Sequence, residues 1–439
     1  MRYNYNRSLN ILCSKAKIQG LRPAEALAKA GFLFLLLFFV PLIICNAKKN
    51  ESVGNRLQAI GVKLNNNFYI SVLLVEKKLS DKSSWVLTSE KGFFLSDNDD
   101  ANSRTFFVPC KSLRIHVKHK NIYINGTKYL RKQIKIMPKG DDISFANNLS
   151  QADPCSRQGY QYQGYFIVAV DKKDLLLINR LELEDYIYAV LRSETWPGWP
   201  LEVNKVFAVA IRSYAISKVL EANKCRRLYH IKNDNRHQTY KGYKFHVRNS
   251  SVLRKAVEKT RGMFLGYEGK PIIAMFDSCC GGVVPALVDG FIDFKKAPYL
   301  KRDCSCKYCR KCSLYSWNVS YTVDEFLRIL SDVCPRIKDI RSLWVSKKDK
   351  AGVVKGVTVR GKRLSWSIVG DKLYSLLKDV KSFCFDIKKS GDTICLHGKG
   401  YGHHIGLCQW GARQLVRELK DYKEILKFYY PGTEFMWLS

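Results

Sequence analysis

The chain has 439 residues, with 74 Lys+Arg against 39 Asp+Glu and a formal charge of +35. Hydrophobic residues make up 46% and charged residues 26%, which excludes wholesale disorder and leaves enough apolar surface for sizeable cores. So positive a field attracts polyanions (nucleic acid, anionic lipid, acidic wall polymers) without choosing among them.

Residues 1–29 carry Arg2, Arg7, Lys15, Lys17, Arg22 and Lys29 against only Glu25. An apolar run from Ala30 to Cys45 follows, then Asn46-Ala47. A basic start and an apolar centre read as a signal peptide or an uncleaved membrane anchor over 30–47, with 1–29 on the cytoplasmic side. Leu42-Ile43-Ile44-Cys45 is not a lipoprotein signal, because Ile44 is too bulky before the cysteine. The remainder is expected to be exported, periplasmic or in the cell envelope. Of the 15 cysteines, Cys13 and Cys45 belong to the leader, and export makes disulfides available to the rest.

Residues 48–67 are polar and read as a linker. Residues 68–180 are β-rich. Asn125-Gly126 between Ile122-Tyr123-Ile124 and Tyr129-Leu130 predicts a hairpin. A second is predicted from Tyr165 to Ile178, turning at 171–174. Residues 138–160 read as a loop. From Leu181 the period changes. Leu183, Tyr186, Ile187, Val190 and Leu191 recur at three- and four-residue steps, the mark of a helix with one apolar face. Pro197 and Pro200 break it. A second helix is predicted from about Leu201 to Asn223, with Val203, Val206, Phe207, Ala210, Tyr214 and Val219 on roughly one side. Further helices are predicted near 409–419 and 423–429. Helices and strands are segregated rather than strictly alternating, so the fold class is α+β: a β-rich region over 68–180, then a mixed domain over 181–439.

Glu194 ends the first helix, just before Trp196-Pro197-Gly198-Trp199-Pro200. Aromatics beside a carboxyl group withhold water from it, a condition that suits a general acid. Two indoles also offer flat faces to sugars. The alternative is a helix-end carboxylate beside core tryptophans. The glycine-rich stretch from Gly398 to Ala412 lets backbone approach a ligand closely, but it holds no P-loop and is a poor dinucleotide fingerprint. Cys304-x-Cys306-x-x-Cys309-x-x-Cys312 could hold one tetrahedral zinc. Disulfides are the preferred reading, because the cluster is exported and the usual zinc spacing separates two CxxC pairs; Cys279 and Cys280 can join either arrangement.

Taken together, several blocks resemble the stage II sporulation protein D family, also called the amidase-enhancer or lytic-domain family. They are Leu183-Glu184-Asp185-Tyr186 through Ser193-Glu194-Thr195-Trp196-Pro197, then Ala208-Val209-Ala210-Ile211-Arg212-Ser213-Tyr214-Ala215 and Gln238-Thr239-Tyr240-Lys241-Gly242. Thr260-Arg261-Gly262, Ser278-Cys279-Cys280-Gly281-Gly282, the run from Gly400 to Ala412, and Tyr429-Tyr430-Pro431-Gly432-Thr433 follow in the family's order.

The resemblance implies a peptidoglycan lytic transglycosylase with a glycan-binding groove, acting on strands stripped of stem peptides. It implies Glu194 as the catalytic acid, and Arg212, Tyr214, Gln238, Tyr240, Ser278, His403 and Gln409 as substrate-binding positions. No cofactor is required, although a structural zinc is compatible with the cysteines. The implied partners are glycan strands, an N-acetylmuramoyl-L-alanine amidase, and the membrane through the N-terminus. A non-catalytic murein-binding enhancer of such an amidase is the alternative. A nucleic-acid partner is not expected, since no helix-turn-helix, RNP or zinc-finger pattern accompanies the charge. Much of that charge is expected near the groove, with Arg212 reading the lactyl carboxylates of denuded glycan. This chain departs from the family pattern at Thr195 (usually Met), Asp277 (commonly His), His404 (Gly) and Cys408 (Ser). Some members also carry Cys and His zinc ligands before the Gln-x-Tyr-x-Gly block, where this chain has only His230 and His237.

Overall fold

The computed structural model describes residues 68–79, 84–96, 105–140, 143–147, 160–234, 237–242, 250–377 and 379–438. The basic segment 1–29, the signal or anchor at 30–47 and the linker at 48–67 lie outside the described residues. Among the described residues, no helix is long and apolar enough to cross a membrane.

The fold is α+β. Its described helices are α1 (Leu183–Glu194), α2 (Leu201–Lys224), α3 (Ser250–Lys259), α4 (Val323–Leu330), α5 (Gly370–Leu376), α6 (Gln409–Arg417) and α7 (Tyr422–Tyr429). A seven-stranded sheet runs in the order 231–232, 69–78, 174–182, 165–171, 133–138, 93–96, 105–108. A six-stranded sheet runs 160–162, 143–147, 84–88, 112–118, 121–124, 127–129.

Both predicted hairpins form. Ile124 pairs with Thr127, and Asn125 and Gly126 turn the chain at φ 49° and 84°, the left-handed pair that a two-residue turn requires. Asp171 pairs with Asp174 across the second turn. The expected loop at 138–160 contains a strand instead. Ile143–Asn147 pairs with 84–88 on one side and with 160–162 on the other. So short a segment between polar residues draws its strand character from distant partners rather than from its own propensity.

Helix α1 buries the predicted face, including Leu183, Tyr186, Ile187, Val190 and Leu191. Helix α2 differs from expectation. It is buried nearly all round, with Val203, Asn204 and every residue from Val206 to Ile216 enclosed. A helix apolar on every side is a central helix rather than a surface one, and α1, α3, α6 and α7 all pack around it. Its start is closed by Asn204, whose side-chain amide donates to the carbonyls of Trp199 (3.0 Å) and Pro200 (3.1 Å).

The larger core extends from Ile70 to Tyr430, so residues before and after position 180 share it. A second core, from Trp317 to Leu396, belongs to a lobe of two three-stranded sheets with α4 and α5. This lobe is inserted between the Ser278–Gly282 block and the glycine-rich stretch. Chain return is fixed where the Gly400 N–H donates to Tyr315 O (2.8 Å) and Cys279 pairs with Tyr401.

Candidate active site

Glu194 is the last residue of α1 and is half-buried. The turn behind it is closed by Thr195, whose N–H and hydroxyl both donate to Leu191 O, at 3.0 and 2.7 Å. The Thr239 N–H donates to Glu194 Oε1 at 2.7 Å. The Gln409 side-chain amide donates to the Glu194 carbonyl at 3.2 Å. Three segments far apart in sequence therefore meet at one residue, Thr239 on its carboxylate and Gln409 on its main-chain carbonyl. Among the described residues, Glu194 Oε2 has no hydrogen-bond partner.

The indoles arrange themselves around the same point. Trp196 is 47% exposed, whereas Trp199 is 6% exposed. Both lie against Trp410, with ring centroids at 6.1 and 5.7 Å. The Arg413 guanidinium covers Trp410 at 4.8 Å.

The predicted binding residues divide by burial. Ser278 and His403 are half-buried. His403 stacks on Phe291 at 5.2 Å, and its Nδ1 accepts the Ile405 N–H at 3.1 Å. Burial, with His404 alongside, lowers the His403 pKa to about 4. Tyr214 is nearly enclosed, and its hydroxyl meets His237 Nδ1 at 2.9 Å. Burial pushes the Tyr214 phenol up. Gln238 and Gln409 are buried. The Tyr186 hydroxyl donates to Gln238 Oε1 at 2.9 Å, and Gln238 Nε2 is buried with no partner among the described residues.

Two expectations are corrected. Arg212 is completely buried and cannot read a carboxylate on glycan. Its Nε and Nη2 grip Glu184 at 2.9 and 2.6 Å, and its Nη1 donates to Met263 O at 2.9 Å. Glu184 Oε1 also accepts the Gly262 N–H at 3.1 Å. Arg212 is thus a clamp between family blocks. Tyr240 is likewise interior: it stacks on Tyr186 at 5.5 Å and donates through its hydroxyl to Asn179 at 2.6 Å.

The cysteines are also rearranged. Cys306 and Cys309 come together not with Cys304 and Cys312 but with Cys280 and Cys408. Cys304 is exposed, and the Cys312 thiol accepts the Leu314 N–H at 3.2 Å. The twelve described cysteines are all free, so the preferred disulfide reading is not what the structure contains. His230 and His237 are engaged apart, His230 Nδ1 accepting the Ser71 N–H at 3.0 Å.

Departures from the family pattern have local causes. His404 sits at φ 67°, a conformation that favours glycine. It is retained by two bonds, its N–H to Asp277 Oδ2 (2.8 Å) and its Nδ1 with Cys280 O (3.0 Å). Burial raises the Asp277 carboxyl well above the usual carboxylate range.

The sequence reading missed Thr239 as a partner of Glu194, because a backbone donor has no side-chain signature. It named His237 but not its contact with Tyr214, and it missed Arg413. The spacing of Trp410 and Arg413, three apart on one helix, was a usable signal.

A family model described as stage II sporulation protein matches residues 171–267. Another, a domain of unknown function (DUF8618), matches residues 300–406, a span that contains the whole of the second core. An uncharacterized protein of Brachyspira hyodysenteriae is 32% identical over 287 residues, 64% of this chain and 74% of that protein. The stage II sporulation protein D of Bacillus subtilis is 26% identical over 273 residues, covering 58% of this chain and 75% of that protein. The amidase enhancer of Bacillus subtilis is 27% identical over 361 residues, 71% of this chain but 49% of that protein. The chain belongs to the stage II sporulation protein D and amidase-enhancer family.

Proposed function

We propose that this protein remodels the cell wall as a peptidoglycan lytic transglycosylase, working in the cell envelope beside an amidase. The observation that carries the reading is Glu194: one carboxylate oxygen is held by the Thr239 N–H, and an exposed indole, Trp196, lies two residues away. Family membership supports the wall as the setting.

A glycosidase that adds water normally uses two carboxyl groups. A transglycosylase needs one, because the muramic acid's own C6 hydroxyl is the nucleophile. In this reading, Thr239 fixes Oε1 and leaves Oε2 to carry the proton. Glu194 protonates the glycosidic oxygen as the bond from muramic acid to N-acetylglucosamine breaks. Glu194 Oε2, now deprotonated, then takes the proton of the C6 hydroxyl as that oxygen closes on C1. The product is a 1,6-anhydro sugar, and no water is consumed. The partner amidase strips stem peptides and exposes the glycan.

The test is digestion of amidase-treated sacculi by wild type and Glu194→Gln, read by mass spectrometry. Wild type is expected to release anhydro-ended products. Glu194→Gln should bind sacculi normally and lose turnover by about a hundredfold or more, the usual scale for general acid–base catalysis. Reducing muramic acid ends would mean a hydrolase. The name amidase enhancer, carried by one relative, favours a second reading, a non-catalytic wall-binding partner. In that case Glu194→Gln would leave amidase stimulation intact and wild type alone would release nothing.

A further inference from the structure

The Sγ atoms of Cys280, Cys306, Cys309 and Cys408 all lie within 4.8 Å of one another, and all four residues are buried. Cys280 follows the short strand Phe276–Asp277, Cys306 and Cys309 come from the loop before the inserted lobe, and Cys408 caps α6. Zinc–sulfur bonds of about 2.3 Å directed to a tetrahedron set sulfurs about 3.8 Å apart. Cys280 Sγ and Cys309 Sγ are 3.6 Å apart. A four-iron cluster binds each thiolate to a different iron and holds the sulfurs farther apart. We propose that these four cysteines bind one zinc ion as a closed, structural tetrathiolate site.

The surroundings are those of a thiolate site. Cys408 Sγ accepts N–H bonds from Cys280 (3.3 Å) and from Gly411 (3.4 Å), the latter in the first turn of α6. Helix N-termini favour negative sulfur. The Tyr429 hydroxyl lies 3.3 Å from Cys306 Sγ. Such outer-shell bonds orient ligands and hold their charge. Gly411 leaves the room: a Cβ there would meet Cys306 Sγ at 2.8 Å and Cys408 Sγ at 3.3 Å. Zinc with four thiolates carries a net double negative charge, and a cation packs on the ring of Tyr429, whose hydroxyl touches Cys306. Arg302 is buried over the rings of Phe428 and Tyr429, at 5.1 and 5.5 Å. Its Nε and Nη2 have no hydrogen-bond partner among the described residues. Four protein ligands leave no open position, which marks a structural rather than a catalytic site.

The site would act as a staple behind Glu194. It ties the Ser278–Gly282 block to the cap of α6, whose first residue, Gln409, bonds to the Glu194 carbonyl. It also fixes the entry to the inserted lobe. Cys279 and Cys312 border the site without belonging to it.

The test uses the full chain, purified under reductant. Metal analysis should give one zinc per chain. Replacement by Co2+ should give the intense thiolate charge-transfer and visible bands of a tetrahedral sulfur site. Cys304→Ser and Cys312→Ser should keep the zinc and the cobalt spectrum, whereas Cys309→Ser should lower zinc affinity at least tenfold. The proposal is overturned by a chain that takes up neither metal, by masses showing disulfides among these four thiols, or by an iron–sulfur absorption spectrum. Loss of metal in Cys304→Ser would equally overturn the ligand set. If Cys309→Ser does not fold, the wild-type stoichiometry, its cobalt spectrum and the Cys304→Ser result still decide.

Discussion

The Arg212 guanidinium forks onto the Glu184 carboxylate, at 2.6 and 2.9 Å, with no exposed surface of its own. This pair joins α2 to the start of α1, and through Met263 O and the Gly262 N–H to the strand Met263–Tyr267. Removing one partner of such a pair strands the other charge inside the protein. Arg212→Ala is therefore expected to cost about 3–5 kcal/mol of stability, measured by denaturant unfolding. Arg212→Lys should recover only part, because an ammonium cannot reproduce the fork. An Arg212→Ala protein as stable as wild type would contradict the clamp.

This pair also shows where the sequence stops being legible. The recurrence of Leu183, Tyr186, Ile187, Val190 and Leu191 predicted α1 because a one-faced helix writes its face into its spacing. Helix α2 is enclosed on all sides, so its face could not be read, and Arg212 looked available when it was buried. The place of Glu194 at a helix end beside two indoles was legible. Its real partners were not: Thr239 contributes a backbone N–H, and Gln409 lies 215 residues away. The cysteine run misled for a similar reason. Adjacency suggested that Cys304, Cys306, Cys309 and Cys312 act together, with Cys280 able to join them; Cys408, about a hundred residues further on, arrives only through tertiary folding.

Gln409 offers a second prediction. Its amide bonds to the carbonyl of Glu194, not to the carboxylate, so on the proposed transglycosylase reading it would act by position. Gln409→Ala should lower kcat by about tenfold with little change in KM, since it loosens the acid without touching glycan. Gln409→Glu removes the donor and should behave similarly. A rise in KM at constant kcat would instead make Gln409 a direct glycan ligand.

Acid should weaken the fold through three histidines, His230, His403 and His404. His230 and His403 each accept a backbone N–H on Nδ1, from Ser71 and Ile405, and burial lowers both pKa values from 6.5 to about 4. The unfolded chain takes up these protons as pH falls through about 6.5, while the folded chain resists until about 4. Their contribution to stability is therefore complete above pH 6.5, lost between 6.5 and 4, and unchanged below. Tm measured across that window should fall with acidification. The double variant His230→Asn, His403→Asn supplies a neutral acceptor at each position and should flatten the slope. An unchanged slope in the double variant would remove these two as the cause and leave His404, whose pKa burial also lowers to about 4.

The two tryptophans after Glu194 should separate folding from binding. Trp199 is 6% exposed and packs between Trp410 and Phe207, at 5.7 and 6.2 Å. Trp199→Ala leaves a large cavity beside α2 and should cost about 3–5 kcal/mol. Trp196 is 47% exposed, so Trp196→Ala should change stability by only about 0.5 kcal/mol. If its open face carries a sugar ring, binding rather than chemistry will suffer. KM for denuded glycan should then rise about tenfold, equivalent to about 1.4 kcal/mol, with kcat nearly constant. Steady-state kinetics on amidase-treated glycan, alongside thermal melts of both variants, makes the comparison. If Trp196→Ala keeps wild-type KM and instead loses stimulation of the amidase, the exposed indole faces the partner enzyme rather than the strand.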